Sequence, residues 1–180
     1  MGDGGDAAMS HWETSGQSDE WYTPKFVFDA LGCRFDLDVA HPLNVGTHVP
    51  ADLWYANRGL ESEWFGFVWM NPPFGGRNSL EPWLDKFFDH GDGIALTPDR
   101  TSAPWFQSAW PRADLVMFTR KIRFLRPDGT EGKSPSNGTA LWAVGPRGFA
   151  ALVKAFSSGL GILSLPAEAV IAAEKAREAA

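Results

Sequence analysis

Four residues, Asn71-Pro72-Pro73-Phe74, directly follow an apolar run at residues 65–70 (FGFVWM). A hydrophobic strand that ends this way presents polar acceptors and a ring at the C-terminal edge of a sheet. The chemistry this suits is methylation of the NH2 group of a planar base or amide. The lone pair of such a nitrogen is delocalised, so the group is a poor nucleophile. Two acceptors placed for sp3 geometry would take its two hydrogens: the side-chain carbonyl of Asn71 and the backbone carbonyl of Pro72. Consecutive prolines fix φ and hold that geometry before substrate arrives. Phe74 can stack on the face of the base. A methyl group then transfers in line from a sulfonium donor. The proton leaves afterwards, so no strong general base is needed.

Positioning these groups takes a sheet. Residues 34–40 (RFDLDVA) read as a buried strand with acidic residues at its end. Residues 65–70, 93–97 (GIALT), 114–119 (DLVMFT) and 139–144 (TALWAV) read as further strands, and 161–165 is a short apolar run. Thr23-Pro24 marks a helix start, with Phe26, Val27, Ala30 and Leu31 on one face and Gly32 as its stop. Ser79 caps a second helix with Trp83, Leu84, Phe87 and Phe88 along one side. Shorter helical stretches follow at 103–110 and 149–156, and an Ala/Glu/Lys helix at 166–180. Residues 41–63 read as irregular, punctuated by Pro42, Gly46 and Pro50. The alternation predicts an α/β sandwich on a mostly parallel sheet, with antiparallel pairing toward the C-terminal end. Ligands of such sheets sit outside the carboxyl ends of the strands. Asp38, Asn71 and Thr97-Pro98 each fall at such an end. Asp38, nearer the end than Asp36, is the ligand candidate, and the two do not form an acid/base pair.

A length of 180 residues suits one domain with a real core. Residues 1–19 are rich in Gly, Asp, Ser and Ala and read as a disordered acidic tail, which leaves 20–180 as the domain. No apolar run approaches the roughly 18 residues of a membrane span, and no signal peptide is read at the N-terminus. The single cysteine, Cys33, excludes an internal disulfide and fits a reducing cytoplasm. His41, His48 and Cys33 match no zinc spacing, and His11 and His90 lie far off, so no metal is expected. No P-loop or GxGxxG occurs, which removes support for nucleotide hydrolysis and nicotinamide chemistry.

A net charge of −6 argues against a nucleic-acid partner until its distribution is read. Asp3, Asp6, Glu13, Asp19 and Glu20 lie in the first twenty residues with no Lys or Arg, so the rest is near −1. Residues 100–133 hold Arg100, Arg112, Arg120, Lys121, Arg123, Arg126 and Lys133 against Asp114, Asp128 and Glu131, seven bases to three acids and a net +4. A basic zone on a near-neutral body suits a phosphate backbone. Arg120, Lys121, Arg123 and Arg126 precede the turn Pro127-Asp128-Gly129, and as a hairpin they would project toward DNA. The polar stretch from Gly132 and Lys133 to Gly138 could reach a groove.

Beyond the tetrapeptide, the segments DEWYTP (19–24), FDLDVA (35–40), GLESEW (59–64), VWMNPPF (68–74), LTPDRTSAPWF (96–106), IRF (122–124) and NGTALWAV (137–144) occur in order. Together they resemble the phage-encoded DNA N6-adenine methyltransferases, the small Dam-type family, over about residues 18–145. The resemblance implies a Rossmann-like sandwich that uses S-adenosylmethionine to methylate an adenine flipped out of double-stranded DNA. It implies that Asn71, Pro72, Pro73 and Phe74 hold the adenine. It implies that Asp38, with Ala40 in the same segment, binds the methionine ammonium of the cofactor, and that Trp21, Tyr22, Thr23 and Pro24 contact its amino-acid end. Thr97, Pro98 and Arg100 match the segment behind the active site. A phage or prophage protein of this kind would act in the cytoplasm of a bacterial host.

The chain departs from the family in two places. His41-Pro42 stands where many methyltransferases carry a glycine-rich loop, and Asn57-Arg58 precedes Gly59-Leu60 where the family often has an acidic residue. Asp52 is the substitute carboxylate for the adenosine part of the cofactor. No long target-recognition insertion is present, which fits a short recognition sequence unless a homodimer supplies more surface. Two other readings stand beside this one: a methyltransferase acting on RNA or on a protein glutamine amide, and a DNA-binding protein that keeps the fold as a relic.

Overall fold

The computed structural model describes residues 21–43, 46–73, 80–133, 135 and 137–178. The acidic tail, the helix cap expected at Ser79, and Phe74 lie outside the described residues.

Among the described residues, seven strands form one sheet: β1 (Phe35–Asp38), β2 (Ala51–Trp54), β3 (Val68–Met70), β4 (Gly93–Pro98), β5 (Leu115–Thr119), β6 (Thr139–Val144) and β7 (Gly161–Ser164). Their order is β2-β1-β3-β4-β6-β5-β7. The first four are parallel. β6 enters antiparallel between β4 and β5, and β7 pairs antiparallel with β5. The expected change of direction toward the C-terminus is therefore present. Because β4 and β5 both oppose β6, they point the same way, and β1, β3, β4 and β5 all end at one edge.

Among the described residues, five α-helices accompany the sheet: α1 (Lys25–Leu31), α2 (Glu81–His90), α3 (Pro104–Ala109), α4 (Gly145–Ser157) and α5 (Ala167–Glu178). Each face of the sheet has its own core. Val27, Phe28 and Leu31 of α1 and Ala151, Leu152 and Ala155 of α4 pack with Phe35, Trp69, Ile94 and Leu141. Leu84 and Phe87 of α2 and Phe106 of α3 pack on the other face with Leu37, Val68, Met70 and Trp142. The split follows strand periodicity: Val68 and Met70 face one layer and Trp69 the other. Trp69 lies under the edge that carries Asn71 and is 1% exposed. It meets the Phe28 ring edge-on at 4.9 Å. Burying a side chain at least this large contributes on the order of 1.5–3 kcal/mol, and the ring forms part of the cleft lining beside Asn71.

Gly32 ends α1 in the left-handed region at φ +57°, as its position in the sequence predicts. Two expectations need correction. Residues 41–63 are not wholly irregular, because residues 51–54 form β2. This strand is an edge, and three of its four residues are exposed, so it lacks the apolar run of its neighbours. α4 starts four residues before the expected 149, at Gly145-Pro146, because a proline in the first turn begins a helix without losing a hydrogen bond.

Candidate active site

A cleft of about 280 Å3 opens at the carboxyl ends of β1 and β3. Its lining includes Trp21, Tyr22, Thr23, Asp38, Ala40, Asn71, Pro72 and Pro73. Segments 21–23, 38–40 and 71–73, far apart in sequence, are thus brought together in one cleft.

Asp38 is 2% exposed. Burial pushes its carboxyl up to about 6, against smaller lowering effects from the Ala40 N–H and His41. The Ala40 N–H donates to Oδ1 at 3.2 Å. A buried carboxylate held up by desolvation is poised to gain a cation. Asp36, two residues earlier, has a different task. Its Oδ2 accepts from the Phe67 N–H at 2.6 Å and from Arg147 at 3.1 Å. The Phe67 bond is the main cause that draws its pKa below the ordinary value. The two aspartates accordingly do not act as an acid/base pair.

Asn71 caps β3 in a half-buried position, with Pro72 buried and Pro73 exposed. Its Nδ2 donates to Thr23 Oγ1 at 3.3 Å and to the Trp21 carbonyl at 3.4 Å. The N-terminal segment therefore touches the Asn71 amide directly as well as lining the cleft. Pro24 does not line the cleft. It precedes α1 as the N-cap residue, with φ −71°.

Asp52 does not reach the cleft. It sits in β2, opposite the amino half of β1, and its side chain pairs with Arg34. Asp38 is the one acidic residue among the described residues that line the cleft. The loop after β2 supplies Tyr55, Asn57 and Arg58 instead. Tyr55 is tied to β1, its N–H donating to the Asp38 carbonyl at 2.9 Å. Gly59 draws the loop inward, since any Cβ there would run into the Val39 carbonyl. Arg58 is exposed and has φ +53°, rare for a residue with a side chain. Its carbonyl accepts from the Glu61 and Ser62 N–H groups at 3.1 and 2.9 Å and from Ser62 Oγ at 2.8 Å, which holds the strained turn. His41 and Trp83 also line the cleft, and the His41 ring stacks on Trp54 at 5.3 Å. Recognising β2 in the sequence would have pointed to Tyr55 and Asn57, which follow its carboxyl end.

Thr97 shares the carboxyl edge and takes no part in the cleft. Its hydroxyl accepts from Trp142 Nε1 at 2.8 Å and donates to the Pro98 carbonyl at 3.1 Å, with the residue fully buried.

An Asn-Pro-Pro strand ending beside a buried carboxylate narrows the possible families, and comparison decides among them. Residues 10–159, well over half of the chain, match the family DNA N-6-adenine-methyltransferase (Dam). The chain belongs to the Dam family. No curated protein and no solved structure matches it. Family membership makes it a DNA adenine methyltransferase in general terms, with DNA as its substrate.

For a Dam protein, the placement of the basic residues matters as much as the cleft. Arg100 follows β4, and Arg120, Lys121 and Arg123 follow β5, so all emerge at the edge that holds Asn71. These four and Lys133 are exposed, while Arg126 is half-buried. The expected hairpin is short. Leu125 bridges to Glu131 across the turn, and Arg126 is held inside it, its Nη1 donating to Thr130 Oγ1 at 3.1 Å and to the Glu131 carbonyl at 2.9 Å. Lys121 donates to the Pro135 carbonyl at 3.1 Å. Arg123 lies 3.7 Å from Glu131. The hairpin folds back onto the cleft wall, because Leu125 also pairs with Tyr22.

Proposed function

We propose that the protein transfers a methyl group from S-adenosylmethionine to the N6 amino group of an adenine flipped out of double-stranded DNA. The observation that carries this reading is the approach of Asn71 and Asp38 in one cleft. One offers an amide acceptor for an amino group, and the other a buried carboxylate for a cation. The cofactor supplies an electrophilic methyl group on a sulfonium centre. Asp38 would hold its ammonium, which fits a carboxylate whose charge is costly without a partner. The cleft volume lies near the low end of the ~300–1,000 Å3 usual for ligand sites. Tyr55, Asn57 and Arg58 would take the adenosine part, with the Asn57 amide replacing a carboxylate at the ribose hydroxyls. Asn71 Oδ1 and the Pro72 carbonyl would accept the two amino hydrogens, and Phe74 would stack on the adenine. Flipping is required because the amino group is otherwise paired and stacked.

The sheet order supports a Rossmann-like methyltransferase sandwich. Four parallel strands are followed by a reversed strand inserted before β5. Arg100, Arg120, Lys121, Arg123 and Lys133 would contact phosphates around the flipped base.

Incubation with methyl-labelled cofactor and DNA, RNA or protein tests the reading. Label in N6-methyladenine of duplex DNA is expected. Asn71→Ala should lower the rate at least about 100-fold, the scale of losing one preorganised polar contact to the reacting group, while the protein stays folded at the assay temperature. Label in RNA or protein glutamine alone would reject adenine in DNA as the substrate.

A further inference from the structure

We propose that Thr23 is a positioning residue that fixes the direction in which the Asn71 amide points. The inference rests on the adenine-methylation reading and deepens it. An amide side chain can be turned over with little change in shape, yet only one orientation offers an acceptor to substrate. Two groups meet one end of the Asn71 amide: the Trp21 carbonyl at 3.4 Å and the Thr23 hydroxyl at 3.3 Å. The hydroxyl could accept from nitrogen or donate to oxygen. The carbonyl can only accept, so the nitrogen must face it, and a flipped amide would set two oxygens against each other. The carbonyl therefore selects the orientation, and the hydroxyl, accepting beside it, holds it.

Nδ2 is thus engaged on the protein side, and Oδ1 is the amide atom left for substrate. Oδ1 is an acceptor, which an exocyclic NH2 group requires. The opposite orientation would present NH2 to NH2 and leave the target amino group planar. Thr23 is suited to the task by its surroundings. It is 3% exposed, so water does not compete well for its hydroxyl. Its chain neighbour Tyr22 is fastened through two backbone hydrogen bonds to Leu125. On the other side Pro24 fixes φ at the entry to α1.

The test uses the full-length protein and reads Asn71 directly. The side-chain NH2 signals of Asn71, assigned by their absence in Asn71→Ala, are followed by nitrogen–proton NMR in wild type, Thr23→Val, Thr23→Ala and Thr23→Ser. Exchange of those protons with water should speed up about tenfold in the Val and Ala variants, the equivalent of one hydrogen bond, and stay near wild type in Ser. Two different truncations keep the test alive should one of them not fold. In parallel, kcat on duplex DNA, read at saturating cofactor so that any change in cofactor Kd drops out, should fall at least about tenfold in Val and Ala and recover in Ser. Unchanged Asn71 signals in both truncations would overturn the proposal. So would a weakened cofactor Kd with full kcat at saturation, which would assign Thr23 to the cofactor alone. If wild type methylates no DNA while the truncations still free the Asn71 NH2, the orienting role stands and the adenine reading falls.

Discussion

Tyr22 and Leu125 exchange both of their backbone hydrogen bonds, each 2.9 Å long. This pairing fastens the basic hairpin to the wall of the cleft. The Trp21 side chain adds to it by packing on Gly132, whose N–H donates to the Phe124 carbonyl at 2.7 Å.

Gly132→Ala should undo this junction. A Cβ there would strike the Trp21 ring and stand 2.9 Å from the Phe124 carbonyl, and the backbone oxygen cannot swing away as a flexible side chain would. The expected cost is about 1–3 kcal/mol, or a fall of roughly 3–10 °C in Tm for a chain of this size. Trp21 carries the carbonyl that faces the Asn71 amide, so methylation should drop by more than the unfolded fraction explains. Thermal melting beside initial rates well below Tm measures both.

With Asp38 holding the cofactor ammonium as proposed, stability and cofactor binding should respond oppositely to pH. Its folded pKa, about 6, lies above the ordinary value of 3.8. The folded chain therefore holds the proton more tightly than the unfolded chain between those values. Stability should fall as pH rises through that window, by an amount of order 2–3 kcal/mol, and level off above it. Binding an ammonium needs the carboxylate, so cofactor affinity should rise through pH 6 and then plateau. Asp38→Asn should flatten both profiles, bind cofactor weakly at every pH, and melt several degrees above wild type at pH 7.5. Calorimetric titration in two buffers at pH 6 should show proton release on binding in wild type and none in Asp38→Asn.

Salt dependence separates basic residues that meet phosphate from those that hold the hairpin. Each lost phosphate contact should reduce the slope of log affinity against log salt by about 0.9. Arg120→Ala and Lys133→Ala should each do so on duplex DNA. Arg126→Ala should leave the slope near wild type and lower Tm instead, because its guanidinium is engaged by Thr130 and Glu131. Fluorescence anisotropy between 50 and 200 mM salt, a range over which ~6–10 phosphate contacts change affinity strongly, reads the slopes.

The parts of this fold legible in the sequence are those buried on both sides. β3, β4 and β6 are mainly apolar and buried almost throughout because helices cover both faces, and the polar residues at the carboxyl ends of β3 and β4, Asn71 and Thr97, stand out for that reason. β2 has one covered edge and exposed side chains, so neither alternation nor an apolar run marked it. Missing β2 had a direct consequence at the site. Asp52 drew attention as a carboxylate, while the register sets it toward the wrong end of the strand and beside Arg34. The contribution of Arg58 depends on a left-handed backbone turn, which its residue type gave no reason to expect.

The insertion of β6 between β4 and β5 sets a condition on how the chain is made. Both flanking strands leave the ribosome before the strand that joins them. Until Val144 has emerged, β4 has one open edge and β5, whose partners β6 and β7 both come later, has two, and a neighbouring copy can occupy them. The stretch synthesised during that interval, residues 120–138, is the one that bears the basic hairpin. Lengthening it to gain reach along DNA would also prolong the time for which the half-built sheet stands open.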